Sequence, residues 1–120
     1  MLQDSKPYRV ITEYISPYLD SIIFHEGESV QVGIEFVDDP EWKSWIRCKG
    51  DGGKEAWCPG EYLDIFGDAG IFIRDYDAKE LTVYIGEILS VGEQLNGFGA
   101  GVKDDGECGW ISMKCLEELV

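Results

Sequence analysis

The segment "GKEAWCPGEYLDIF" (Gly53–Phe66) has a second version later in the chain, "DDGECGWISMKCLEEL" (Asp104–Leu119). Each places a small residue, Ala56 or Gly109, before a Trp, and each reaches an apolar Leu six residues after that Trp. Trp57 lies 53 positions before Trp110, and Leu63 lies 53 before Leu116. Outward from this pair, the remainder repeats too. "ITEY" (Ile11–Tyr14) matches "IRDY" (Ile73–Tyr76), "IIFHEGESVQV" (Ile22–Val32) matches "LTVYIGEILSV" (Leu81–Val91), and "SWIRCK" (Ser44–Lys49) matches "GFGAGV" (Gly97–Val102). The offset is 62 at Tyr14/Tyr76, 59 at Gly27/Gly86 and 53 at the Trp pair. Steps of three and then six residues mean shorter loops in the second copy, the change a duplicated small domain tolerates.

The segments read as strands and turns. They are short, rich in Val, Ile and aromatics, and punctuated by Gly, Asp and Pro. Val30, Val32 and Ile34 alternate with Gln31 and Gly33, the period of a half-buried strand. "KGDGGKE" (Lys49–Glu55) is a hairpin signal, because Asp-Gly and Gly-Gly accept the positive φ of tight turns. "KCLEELV" at the C-terminus is the only candidate helix. Five short strands per half predict an all-β chain of two small five-stranded antiparallel barrels in tandem, bent enough to hide most of their edges. The expected domains are 1–66 and 71–120, with "GDAG" (Gly67–Gly70) as a linker too short to let them move far apart.

Composition narrows the function classes. The chain has 120 residues, 44% of them hydrophobic and 12% aromatic, as in globular proteins. Its 24 acidic residues against 10 basic ones give a net charge of −14. Phosphate binding needs Lys and Arg to displace counterions, so nucleic acid is not expected as a partner. An anionic membrane surface is disfavoured for the same reason. A basic partner would be steered in by the long-range field. No cationic start leads into an apolar run, and no stretch approaches 18 apolar residues, so a cytoplasmic protein is expected. Cys48, Cys58, Cys108 and Cys115 form no Cys-x-x-Cys pair, and His25 is the one histidine, so neither a zinc site nor another cofactor is expected. Reduced, buried thiols are the first reading. A Cys48–Cys58 bridge across neighbouring strands is the alternative, and would need an oxidising compartment. No nucleophile–base pair, paired carboxylates in a pocket or phosphate-cradling glycine loop is apparent, so catalysis is not expected.

In order and spacing, the motifs of each half resemble those of Src homology 3 domains. The first copy reads "VITEY", "IIFHEGE", "WIRC" and "AWCPGEYL"; the second reads "FIRDY", "LTVYIGE", "FGAG" and "GWISMKCL". The match covers roughly Tyr8–Phe66 and Ile71–Leu119. The resemblance implies a groove of stacked aromatics for proline-rich peptides, whose polyproline helix is already extended and loses little entropy on docking. Carried over position by position, the groove is Tyr14, Trp45, Trp57, Pro59 and Tyr62, with Thr12 where the family has a further Tyr. Loop acids that hold a basic residue beside the prolines would be Asp20, Asp38, Asp39 and Glu41. Arg suits such a site because its planar fork pairs with a carboxylate while stacking on Trp. Trp42, in the same loop, would line the groove edge or lie against the other barrel. In the second copy the groove positions read Tyr76, Phe98, Trp110, Ser112 and Cys115, with Arg74 in place of Thr12. That copy is therefore expected to be degenerate.

The expected partner is a basic, proline-containing peptide or protein. Two other binding modes fit the composition. A Tudor-like cage for methylated Lys or Arg could use Tyr14, Trp42, Trp45 and Trp57 with Asp38 and Asp39. An acidic inhibitor could occlude a basic partner with no linear motif involved.

Overall fold

The computed structural model describes residues 5–17, 22–35 and 45–119. These form strands β1 (Lys6–Val10), β2 (Ile23–Phe24), β3 (Ser29–Glu35), β4 (Trp45–Lys49), β5 (Glu55–Pro59), β6 (Leu63–Phe66), β7 (Ala69–Phe72), β8 (Tyr76–Asp77), β9 (Ile88–Leu95), β10 (Phe98–Val102), β11 (Cys108–Ser112) and β12 (Leu116–Glu118). Every paired strand is antiparallel. The candidate C-terminal helix is instead a single 3-10 turn, Met113–Cys115, running into β12. Among the described residues no helix is long and apolar enough to cross a membrane.

Two five-stranded sheets share one plan. One has the order β5-β4-β3-β7-β6 and the other β11-β10-β9-β1-β12. In each, a three-strand meander leads through a 3-10 turn, Gly60–Tyr62 or Met113–Cys115, into a fourth strand on the opposite edge. That turn carries the chain onward instead of reversing it, so β5 and β6, like β11 and β12, do not pair with each other. The closure expected of a barrel is therefore not made by hydrogen bonds; both sheets remain open-edged. The fifth strand, β7 or β1, lies between the meander and the last strand.

The origin of this fifth strand departs from the expected domains. The chain divides into one unit of Met1–Asp20 with Lys79–Val120, and another of Ser21–Ala78. Strand β1, from the N-terminal half, pairs with β9 and β12. Strand β7, from the C-terminal half, pairs with β3 and β6. The arms that follow travel with them. Tyr14 exchanges backbone hydrogen bonds with Val83 at 3.0 and 2.9 Å, and β2 pairs with β8 through Phe24 and Tyr76. The boundaries 1–66 and 71–120 thus do not describe the units; the halves have exchanged their first strand and arm.

The reason is local. Gly67 and Asp68 are not a linker but the two-residue turn of a β6–β7 hairpin, closed by the pair Phe66/Ala69. Gly67 supplies φ of +65°, which such a turn requires. So tight a turn can only lay β7 beside β6, within the same unit. The corresponding place beside β12 is then filled by β1. Where arm meets meander, Gly27 and Gly86 hold equivalent turns at φ +87° and +95°.

Each unit has its own core. In the unit holding both termini, Tyr8, Val10, Leu81, Val83, Leu89, Val91, Ile111 and Leu116 form one buried cluster. On β9, buried Leu89 and Val91 alternate with exposed Ile88 and Ser90, the period of a half-buried strand. In the other unit, Phe24 stacks on Phe72 with ring centroids 4.7 Å apart, and Phe72 is followed by Tyr76 at 6.3 Å. Cys48 and Cys58 are free and fully buried there. A hydrogen bond that the Cys58 thiol donates toward Cys48, with burial, pushes that thiol far above its ordinary value. Cys115 is also buried and free, and burial raises its thiol pKa as well. Cys108 is exposed, contrary to the expectation of four buried thiols.

Candidate binding surface

The aromatic set expected to bind peptide is built by β4, β5 and the turn after them. Trp45 lies opposite Pro59 and Arg47 opposite Trp57 in the β4–β5 register. Pro59 ends β5 at φ −71°, its ring's natural value, and the 3-10 turn Gly60–Tyr62 follows directly. Four of the five expected groove residues, Trp45, Trp57, Pro59 and Tyr62, therefore belong to the unit Ser21–Ala78.

Tyr14 does not. Strand exchange places it in the other unit, where its hydroxyl donates to Glu80 Oε1 at 2.7 Å. The Ser16 hydroxyl donates to the same oxygen at 2.8 Å, and the Ser16 N–H donates to Thr82 Oγ1 at 3.0 Å. Its equivalent beside the Trp57 segment is Tyr76, which sequence alignment assigns to the second copy. The Tyr76 hydroxyl donates to the Trp57 carbonyl at 2.9 Å, and its ring meets Tyr62 edge-on at 5.5 Å. Arg74 comes with Tyr76 and lies over the Tyr62 ring, 4.1 Å from its centroid. The guanidinium expected to spoil the second copy thus caps the aromatics of the first.

The shelf is also less open than expected. Trp45 is 6% exposed, Tyr62 4% and Tyr76 5%, while Pro59 is fully buried. Trp57 alone is half-buried, with the Arg47 guanidinium 5.6 Å from its ring centroid. Arg47 Nε also donates to Glu55 at 2.9 Å, and that bond holds the Glu55 carboxyl below its ordinary pKa. Aromatics with so little free face pack the unit's core more than they offer ridges to a ligand. In the exchanged unit, Trp110, Ser112 and Cys115 are likewise buried. The loop acids Asp20, Asp38, Asp39 and Glu41, together with Trp42, lie outside the described residues.

Electrostatics mark the surface more clearly than aromatics do. Lys6 pairs with Glu118 (3.6 Å), Lys54 with Glu28 (2.6 Å), Lys79 with Glu107 (3.4 Å) and Lys103 with Glu87 (3.5 Å). With Arg47 on Glu55, five cations are thus held by the chain's own carboxylates. Glu13, Asp51, Asp64, Asp68 and Asp104 are exposed and carry no ion pair among the described residues. No group of three or more His, Cys, Asp or Glu residues suited to a metal ion occurs among the described residues.

Comparison of the chain with family models, with curated proteins and with solved structures finds no match.

Proposed function

We propose that this chain is a non-catalytic protein-interaction module, built of two Src homology 3-like units with exchanged first strands, whose partner is a basic protein segment. The shared strand order of the two sheets, with the family's motifs at equivalent places in each, supports the family reading. The observation that carries the partner's chemistry is the surplus of exposed carboxylates left after five cations are paired internally. Such a field speeds encounter with a basic partner and repels acidic ones.

A second reading keeps the proline-rich ligand. The Tyr76 hydroxyl on the Trp57 carbonyl and the Tyr76 ring on Tyr62 join residues that the resemblance assigns to a groove, and a polyproline segment would enter by displacing Arg74 from Tyr62. Tryptophan fluorescence with three peptides separates these readings: basic proline-rich, basic proline-free, and trimethyl-lysine without other charge. The expected result is binding of both basic peptides at about micromolar affinity or weaker, lost as salt is raised. Arg74→Ala strengthens the proline-rich peptide alone if the second reading holds. Failure of every basic peptide to bind would overturn the proposal, and a response confined to trimethyl-lysine would favour an aromatic cage.

A further inference from the structure

We infer that strand β6 of the unit Ser21–Ala78 is a docking edge for an extended segment of a basic partner, which adds to the sheet as a further strand. The inference rests on the basic-partner reading above and gives that partner a place and a conformation.

The sheet order β5-β4-β3-β7-β6 leaves β6 on an edge, paired only with β7 among the described residues. The Ile73 N–H donates to the Tyr62 carbonyl at 2.9 Å. With Leu63 opposite Phe72 and Asp64 opposite Ile71, the antiparallel alternation makes Asp64 and Phe66 the residues that exchange hydrogen bonds with β7. The N–H and C=O of Ile65, and the C=O of Leu63, then point away from β7. The Leu63 N–H is already satisfied by the Gly60 carbonyl. An added strand would find three backbone groups in line, the pattern that β-strand addition uses.

The side chains around this edge are apolar and acidic. Ile65 is 42% exposed, Phe66 63%, Ile71 39% and Ile73 46%. Asp64, Phe66, Ala69, Ile71 and Ile73 share the outer face, as the register dictates. Asp64 and Asp68 are exposed beside them without an ion pair among the described residues, and neither β6 nor β7 contains a cation. The equivalent edge of the other unit is built differently. In β12, Glu117 lies opposite Arg9, and Glu118 both pairs with Lys6 and occupies the position matching Ile65. Charged edges resist further pairing; an edge bearing Ile and Phe does not.

Charge chooses the occupant. A second copy of this chain would bring a net charge of −14 against another −14 at this edge, Asp64 and Asp68 among them. A basic strand meets no such repulsion. Its sequence should alternate, with an apolar side chain beside Ile65 and Lys or Arg on the outer face beside Asp64. The aliphatic stems of those cations would cover Phe66 and Ile71.

The test uses the full chain and a synthetic peptide alternating Lys with Val. The expected result is binding that protects the Ile65 amide from hydrogen exchange. N-methylation of alternate peptide amides should weaken binding at least about tenfold, because the backbone bonds are lost. Ile65→Pro removes a donor that faces solvent and leaves the β7 ladder intact, so a similar loss is expected with the native fold retained. Asp64→Lys, an exposed substitution, should weaken binding to the same extent and serves if Ile65→Pro does not fold. If the chain binds basic peptides and neither variant changes affinity, the edge assignment falls and the basic-partner reading stands. If no basic peptide binds, both fall. Sedimentation showing a dimer that Ile65→Pro dissociates would overturn the choice of occupant.

Discussion

At the level of single residues, an exchanged neighbour alters what a side chain does without altering the side chain. Tyr14 and Tyr76 occupy matching places in the repeat, yet one hydroxyl serves Glu80 and the other the Trp57 carbonyl. Glu28 shows how a charged residue is tied into a small core. Burial opposes its ionisation, but the Lys54 ammonium and the His25 N–H offset this and hold the carboxyl below its ordinary value of 4.5. Lys54 also donates to the Ile23 carbonyl at 2.7 Å and lies 4.6 Å from the Phe24 ring centroid. A depressed carboxylate pKa stabilises fully above the unfolded value, and that contribution is lost as pH falls through the lower, folded one. Glu28→Gln should therefore cost up to about 1 kcal/mol at neutral pH. The difference from the native chain should shrink below pH 4.5, as read from urea unfolding across a pH series.

Among the elements, the β6–β7 hairpin decides most. Its turn has two residues, Gly67 and Asp68, and no atom lies within 4 Å of a Cβ built on Gly67. A side chain there would meet only backbone strain, since φ is +65°. Gly67→Val should cost about 1–2 kcal/mol, while a D-alanine at the same place, whose mirror-image backbone favours positive φ, should cost much less. Thermal unfolding of the two variants side by side checks this. Equal losses would mean that the conformation of the turn is not what holds β7 beside β6.

For the molecule as a whole, exchange predicts which fragments fold. A chain of residues 21–78 holds every strand of its unit, whereas 1–66 lacks β7, the strand between β3 and β6. The first fragment should give dispersed amide resonances and a cooperative melt. The second should not, because β3 and β6 would have no strand between them and Phe24 would lose its stacking partner Phe72. Domains of roughly 60 residues are marginal even when complete, so a missing central strand is not tolerated. A folded 1–66 fragment would show that the exchange is dispensable.

The residues by themselves determined the strand content, the repeat and the acidic character of the surface. Alternation along Val30, Gln31, Val32 and Gly33, the Gly27 and Gly86 turns and the paired Trp57 and Trp110 segments are local or periodic signals, and local physics is enough to read them. A Gly-Asp turn signal between β6 and β7 was also there to read, but the same residues satisfy a linker, and only pairing partners distinguish the two. Which copy's first strand fills each sheet was decided in three dimensions, because the repeat matches the segments around β1 and β7 without naming the neighbours of either. The site followed that choice. Tyr76 and Arg74, not Tyr14 and Thr12, stand with Trp57 and Tyr62, since a two-residue turn can only return its strand to the neighbour it has just left.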